Sequence, residues 1–158
     1  MACGMQGDAA LPPEPLTGSD GSQTRCIIPG TPNAVRALLQ SLVAGPLVQA
    51  LPPEQASNLE IVLAEVLNNV VEHAYAALQG KVCVTLRQEG PDLRCEVGDQ
   101  GAAMPGLELP AGRPKDLGGI ADLPEGGFGW FLIRSLTRDL TYHRHEGWNH
   151  LSFLLPGK

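Results

Sequence analysis

Two stretches of strict alternation limit this chain more than any other feature. Val82, Val84 and Leu86 alternate with Cys83, Thr85 and Arg87; beyond Glu89-Gly90-Pro91, Leu93, Cys95 and Val97 alternate with Arg94 and Glu96. Near the C-terminus, Leu140 and Tyr142 alternate with Thr141 and His143, Glu146-Gly147 marks a turn, and Leu151, Phe153 and Leu155 follow. Strand side chains point to opposite faces with a period of two, so each stretch has one apolar and one polar face. That pattern predicts two hairpins in an antiparallel sheet covered on one side only. Buried parallel strands would read as unbroken apolar runs, so a doubly wound fold is disfavoured.

The rest of the chain supplies the cover. Cys26-Ile27-Ile28, halted by Pro29-Gly30, predicts a further edge strand. Thr31 or Asn33 caps a helix with the apolar stripe Val35, Leu38, Leu39, Leu42 and Val43, ended by Gly45-Pro46. Pro52-Pro53 opens a longer helix over about residues 54–78, whose apolar face is Leu59, Val62, Leu63, Val66, Leu67, Val70 and Ala74, with Gly80 beyond it. A third helix is predicted over 128–136. The sum is a two-layer α/β sandwich, a mostly antiparallel mixed sheet with helices on one face. Residues 1–24, rich in Gly, Pro, Ser and Asp and without Lys or Arg, predict a flexible N-terminal tail, leaving 25–158 as the domain.

Composition removes several function classes. Seventeen acidic against eleven basic side chains leave a net charge of −6, which disfavours a nucleic-acid surface. No apolar run approaches the roughly 20 residues of a membrane span. No basic start followed by an apolar stretch is visible, so a cytoplasmic protein is expected. Cys3, Cys26, Cys83 and Cys95 form no Cys-x-x-Cys pair, which predicts reduced thiols and no zinc.

Three local patterns carry chemistry. Glu65, Asn69, Glu72 and His73 share a face of the long helix by their spacing, and Asn68-Asn69 runs against mid-helix preference. A carboxylate one turn from an amide carbonyl places a base beside a Mg²⁺ ligand; a solvated outer face is the plainer alternative. Asp99-Gln100-Gly101 ends a predicted strand. There a carboxylate accepts from an exocyclic amine and Gly101 lets the backbone approach a flat ring, unless the sequence is an ordinary turn. Gly126-Gly127-Phe128-Gly129 at a helix start presents free N–H groups to an anion, or is only a tight turn. No Gly-Lys-Ser/Thr follows, so it is not a Walker A loop. Between these patterns, residues 100–127 hold 11 Gly or Pro in 28, the composition of a lid or binding loop, or else of a surface insertion.

In this order and spacing the three patterns are far more specific. Glu65-(x3)-Asn69-(x3)-His73-Ala74-Tyr75, then Asp99-x-Gly101-(x3)-Pro105, then Gly127-x-Gly129-(x2)-Leu132-Ile133 resembles the N, G1 and G2 boxes of the Bergerat-fold (GHKL) ATPases. Within that superfamily the stretches 65–75 and 127–136 look most like the small anti-sigma factor serine kinases. The likeness covers about residues 25–155; no phosphoacceptor helix pair precedes it, so a complete histidine kinase is not expected.

The resemblance implies a Bergerat ATP-binding fold, ATP and Mg²⁺ as cofactors, and a homodimer. It also implies transfer of the γ-phosphoryl group to a serine of a STAS-domain anti-sigma antagonist, and sequestration of a sigma factor, with no direct nucleic-acid or membrane contact. By motif position Glu65 is the general base and Asn69 the Mg²⁺ ligand. Asp99 takes the adenine amino group, with Gly101 and Met104 shaping the adenine pocket. Gly127, Phe128 and Gly129 meet the phosphates, and 100–126 closes as the lid. His73 is either a nucleotide-site residue or a satisfied buried histidine; Arg113 and Lys115 either reach the terminal phosphate or stay solvated. The superfamily's adenine-side Thr on the last strands is missing, and Asn149-His150-Leu151-Ser152 stands there, with Asn149 the candidate substitute. The alternatives are a GHKL ATPase that only hydrolyses ATP, and a nucleotide-gated interaction module without turnover.

Overall fold

The computed structural model describes residues 16–17, 21–112 and 127–158. Six strands form one sheet: β1 (Leu16–Thr17), β2 (Gln23–Pro29), β3 (Lys81–Glu89), β4 (Asp92–Asp99), β5 (Arg138–His145) and β6 (Trp148–Leu155). Their spatial order is β1-β2-β3-β4-β6-β5, and every described pairing is antiparallel, so the sheet is not mixed. Both predicted hairpins form. Gly90 and Gly147 take positive φ in the two turns, and Glu146 does so beside Gly147. The sheet also reaches further towards the N-terminus than position 25. Gln23 and Thr24 belong to β2, and Leu16 and Thr17 pair with Arg25 and Thr24. Thr24 falls in the inward phase of β2 and is buried there, which a tail residue would not be.

The helices are α1 (Pro32–Ala44), α2 (Pro46–Gln49), α3 (Pro53–Asn69) and α4 (Gly127–Leu136). Thr31 is the cap of α1, its Oγ1 accepting from the Ala34 N–H at 3.3 Å. Gly45 ends α1, and Pro46 after it starts the short α2. The core lies between sheet and helices. Val82, Val84, Leu86, Leu93, Cys95, Val97, Phe153 and Leu155 meet Leu38, Leu59, Val62, Leu63, Val66, Leu67 and Ile133, all almost wholly buried. Cys26 and Cys95 are sealed in it as free thiols, Cys83 is half-buried, and Cys3 lies outside the described residues.

The long helix departs from expectation at its C-terminal end. The α-helical bonding stops at Asn69, and Val70–Ala74 form a π turn closed by the Tyr75 N–H to the Val70 carbonyl at 2.9 Å. Residues 76–78 are not helical. Tyr75 is the reason: its ring is buried against Gly30 and Gly80, where any side chain would collide with it. Its hydroxyl donates to the Lys81 carbonyl at 2.6 Å and accepts the Gln100 N–H at 2.7 Å. An aromatic anchored to both flanking strands cannot also continue a helix towards Leu78. No helix among the described residues is long and apolar enough to cross a membrane.

Candidate functional site

A cavity of about 580 Å³ opens where the end of α3 and its π turn face the ends of β4 and β6. Val66, Asn69, Val70, His73 and Ala74 line it from the helix side, and Val97, Asp99, Asn149 and Leu151 from the sheet. Ala102, Met104, Pro105 and Pro110 close one side; Tyr142 and Trp130 complete the wall. Its size and largely apolar lining, with a few polar groups converging, are those of a small-molecule site.

Asp99 is the polar centre. It ends β4 and is only 5% exposed. Its Oδ1 accepts the Gly101 N–H at 2.9 Å and the Asn149 side-chain N–H at 2.8 Å. Oδ2 takes no hydrogen bond among the described residues and remains as the acceptor for a ligand. Burial pushes the Asp99 carboxyl above the usual aspartate range, while the bonds from Asn149 and Gly101 and the charges of Arg144 and His150 pull it back. Asn149 is its cross-strand partner and equally buried. The residue at the missing Thr's place therefore sits in the cavity wall beside the carboxylate.

The helix residues divide. Asn69 and His73 line the cavity, as does Glu72, and His73 is exposed rather than a satisfied core histidine. Glu65 does not line it. The stripe facing the cavity runs through 66, 69, 70 and 73, so position 65 lies one step around the helix, towards α4. There it meets Gly129: a Cβ on Gly129 would come against Glu65 Oε2. The expected face of 65, 69, 72 and 73 is thus split between the cavity and its α4 edge.

Two further placements differ from expectation. Gly101 is buried and is not among the residues that line the cavity. Its missing Cβ makes room for the Ala74 carbonyl, which also accepts the Ala102 N–H at 2.8 Å. Of the first turn of α4, Trp130 reaches the cavity, whereas Phe128 is 57% exposed with its ring 5.9 Å from that of Phe131. Gly129 lies in that turn and is not among the residues that line the cavity. Met104 lines the cavity. Arg113, Lys115 and most of the expected lid lie outside the described residues.

Sequence reasoning missed Tyr142, Arg144 and Trp130. The signal for the first two was present in β5: Leu140, Tyr142 and Arg144 alternate with Thr141 and His143, so Tyr142 and Arg144 share one face of the strand. As for a metal, Asn69 Nδ2 is buried with no partner among the described residues, so the amide is not committed to any hydrogen bond there. Such an amide fits a divalent cation through its oxygen, with Glu72 nearby on the cavity wall. No cluster of three or more His, Cys, Asp or Glu that suits a metal occurs among the described residues. The donor set fits a cation held mainly by substrate phosphates and water, and not a resident structural ion.

Comparison with known proteins agrees with this geometry. The serine/threonine-protein kinase BtrW of Bordetella bronchiseptica is 36% identical over 92 residues, which cover 56% of this chain and 61% of that protein. The match therefore spans less than two thirds of the relative's length. Residues 28–155, which hold strands β3 to β6, the end of β2 and helices α1 to α4, match the model of the histidine kinase-like ATPase domain. With an ATPase-type cavity between helix and sheet and that match over most of its length, the chain belongs to the histidine kinase-like ATPase domain family.

Proposed function

We propose that this protein binds Mg-ATP in the cavity and transfers the γ-phosphoryl group to a serine of a STAS-domain antagonist, while also sequestering a sigma factor as a homodimer. The observation that carries the reading is Asp99: a buried carboxylate with one oxygen saturated and the other free suits the amino group of adenine. The kinase relative supports the group-transfer part of the reading.

Adenine enters between the helix stripe and the β4–β6 edge, and the phosphates extend towards Glu65 and the first turn of α4. The N–H groups of that turn offset phosphate charge. Asn69 would hold Mg²⁺, which when bound neutralises charge on the phosphates. Glu65 accepts the proton of the serine hydroxyl as its oxygen attacks the γ-phosphorus and ADP leaves. A second reading, the nucleotide-gated module without turnover, is favoured by one fact: Glu65 stands beside the cavity rather than in it.

Labelled ATP and a candidate STAS protein separate the two. Glu65→Ala should cut serine phosphorylation by about 10²–10⁴-fold with little loss of ATP affinity. Asn69→Ala should weaken Mg-ATP binding itself. A wild-type protein that binds ATP and never phosphorylates a cognate partner would leave only the module.

A further inference from the structure

A row of three side chains crosses the sheet at the deep end of the cavity. Asp99 of β4 pairs with Asn149 of β6, and Asn149 pairs on its other side with Arg144 of β5. Asn149 has every polar capacity in use. Its Oδ1 accepts from the Tyr142 hydroxyl and from Arg144 Nη1, both at 2.7 Å. Its Nδ2 donates to Asp99 Oδ1 at 2.8 Å and to the Ala102 carbonyl at 2.9 Å. The amide therefore has one permitted orientation. Turned over, it would set its oxygen against a carboxylate and a carbonyl, and its NH₂ against two donors.

Arg144 and Tyr142 also tie down the chain that follows Asp99. The second hydrogen bond of Arg144 Nη1 goes to the Gly101 carbonyl at 2.9 Å. Tyr142 accepts the Met104 N–H at 3.0 Å. The two side chains thus hold the amide and the 101–104 backbone in one arrangement, and the donors around Asp99 Oδ1 are all spent. Beside Asn149, the sheet side of the wall offers a ligand Asp99 Oδ2 and the remaining lone pair of the Tyr142 oxygen, both acceptors.

From this we infer that Arg144 and Tyr142 are positioning residues that set base specificity: by locking the Asn149 amide they aim Asp99 Oδ2 at an amino group and keep the Asn149 N–H groups from a base carbonyl. The inference rests on the proposed ATP site and extends it, because both residues act through the Asn149 amide, to which each is hydrogen-bonded. Asn149 then does more than fill the place of a hydroxyl. It is the relay between two β5 side chains and the base-reading carboxylate.

The test compares ADP with purine riboside diphosphate, which lacks only the amino group, so that no turnover intrudes. Binding is followed by calorimetry on wild type, Tyr142→Phe and Arg144→Ala. A hydrogen bond to an ionised group makes wild type prefer ADP by roughly 10–100-fold. If the lock sets specificity, Arg144→Ala loses most of that preference through weaker ADP binding while its affinity for purine riboside diphosphate stays within about threefold, and Tyr142→Phe loses most of the ratio between the two whatever its effect on overall affinity. Variants that keep the wild-type ratio would overturn the inference, and so would variants that lose both affinities equally, since that is a merely structural role. Should Arg144→Ala fail to fold, Tyr142→Phe, which removes one oxygen, decides alone. A wild type that binds neither nucleotide, or binds both alike, would instead overturn the adenine site itself.

Discussion

At the scale of single residues, Asp99 carries the most testable electrostatics. Burial raises its pKa, so in the folded protein it protonates at higher pH than an ordinary aspartate near 3.9. An amino group needs the carboxylate form as acceptor. Adenine-nucleotide affinity should be complete above the raised pKa and lost as pH falls through it, earlier than an ordinary aspartate would dictate. The stability of the free protein runs the other way. A raised folded-state pKa means the native state binds more protons, so this group costs stability as pH rises from 3.9 through the raised value. Asp99→Asn should remove both dependences, and titration calorimetry across pH reads the first of them. Gly101 offers a contrasting case, since its need is purely steric. Gly101→Ala drives a methyl group into the Ala74 carbonyl and should cost about 1–3 kcal/mol, measured by denaturant unfolding.

At the scale of elements, legibility follows locality. The hairpins were readable because alternation and turn residues sit within a dozen positions of each other, and α1 because Thr31 caps the stripe it precedes. The π turn was not readable. Val70-Val71-Glu72-His73-Ala74 has nothing against helix, and the cause of the break is Tyr75 bonding to Lys81 and Gln100. The second of those partners is 25 positions away. The candidate site divides in the same way. Asp99, Asn69 and Met104 were legible from motif spacing, whereas the contribution of Arg144 depends on the register of β5 against β6 and of β6 against β4. Glu65 moved off the cavity because helical spacing fixes a face to within one position, and one position was enough. The Tyr75 anchor can be weighed directly. Tyr75→Phe leaves the Lys81 carbonyl and the Gln100 N–H without their partner and should lower stability by about 1–3 kcal/mol in denaturant titrations.

At the scale of the whole molecule, the cavity wall draws on both layers. Val66 and Val70 belong to the helical layer, Val97, Asn149 and Leu151 to the sheet, and Trp130 to α4, so an occupant contacts both layers, which separate on unfolding. Binding to the native state alone stabilises by RT ln(1 + [L]/Kd), about 2.7 kcal/mol at a hundredfold excess over Kd. For a chain of 158 residues that corresponds to a rise in Tm on the order of 5–10 °C. Saturating Mg-ATP should therefore produce such a shift in a thermal scan, and GTP at the same concentration a much smaller one, since its carbonyl would face the Asp99 carboxylate. Because Glu65 lies outside the wall, Glu65→Ala should keep the ATP shift nearly whole. Asn69→Ala should reduce it, and Asp99→Asn should bring the ATP and GTP shifts together. Equal shifts for ATP and GTP in the wild type would mean that Asp99 does not read the base, and the polar row from Arg144 to Asp99 would then be only a brace for the sheet edge.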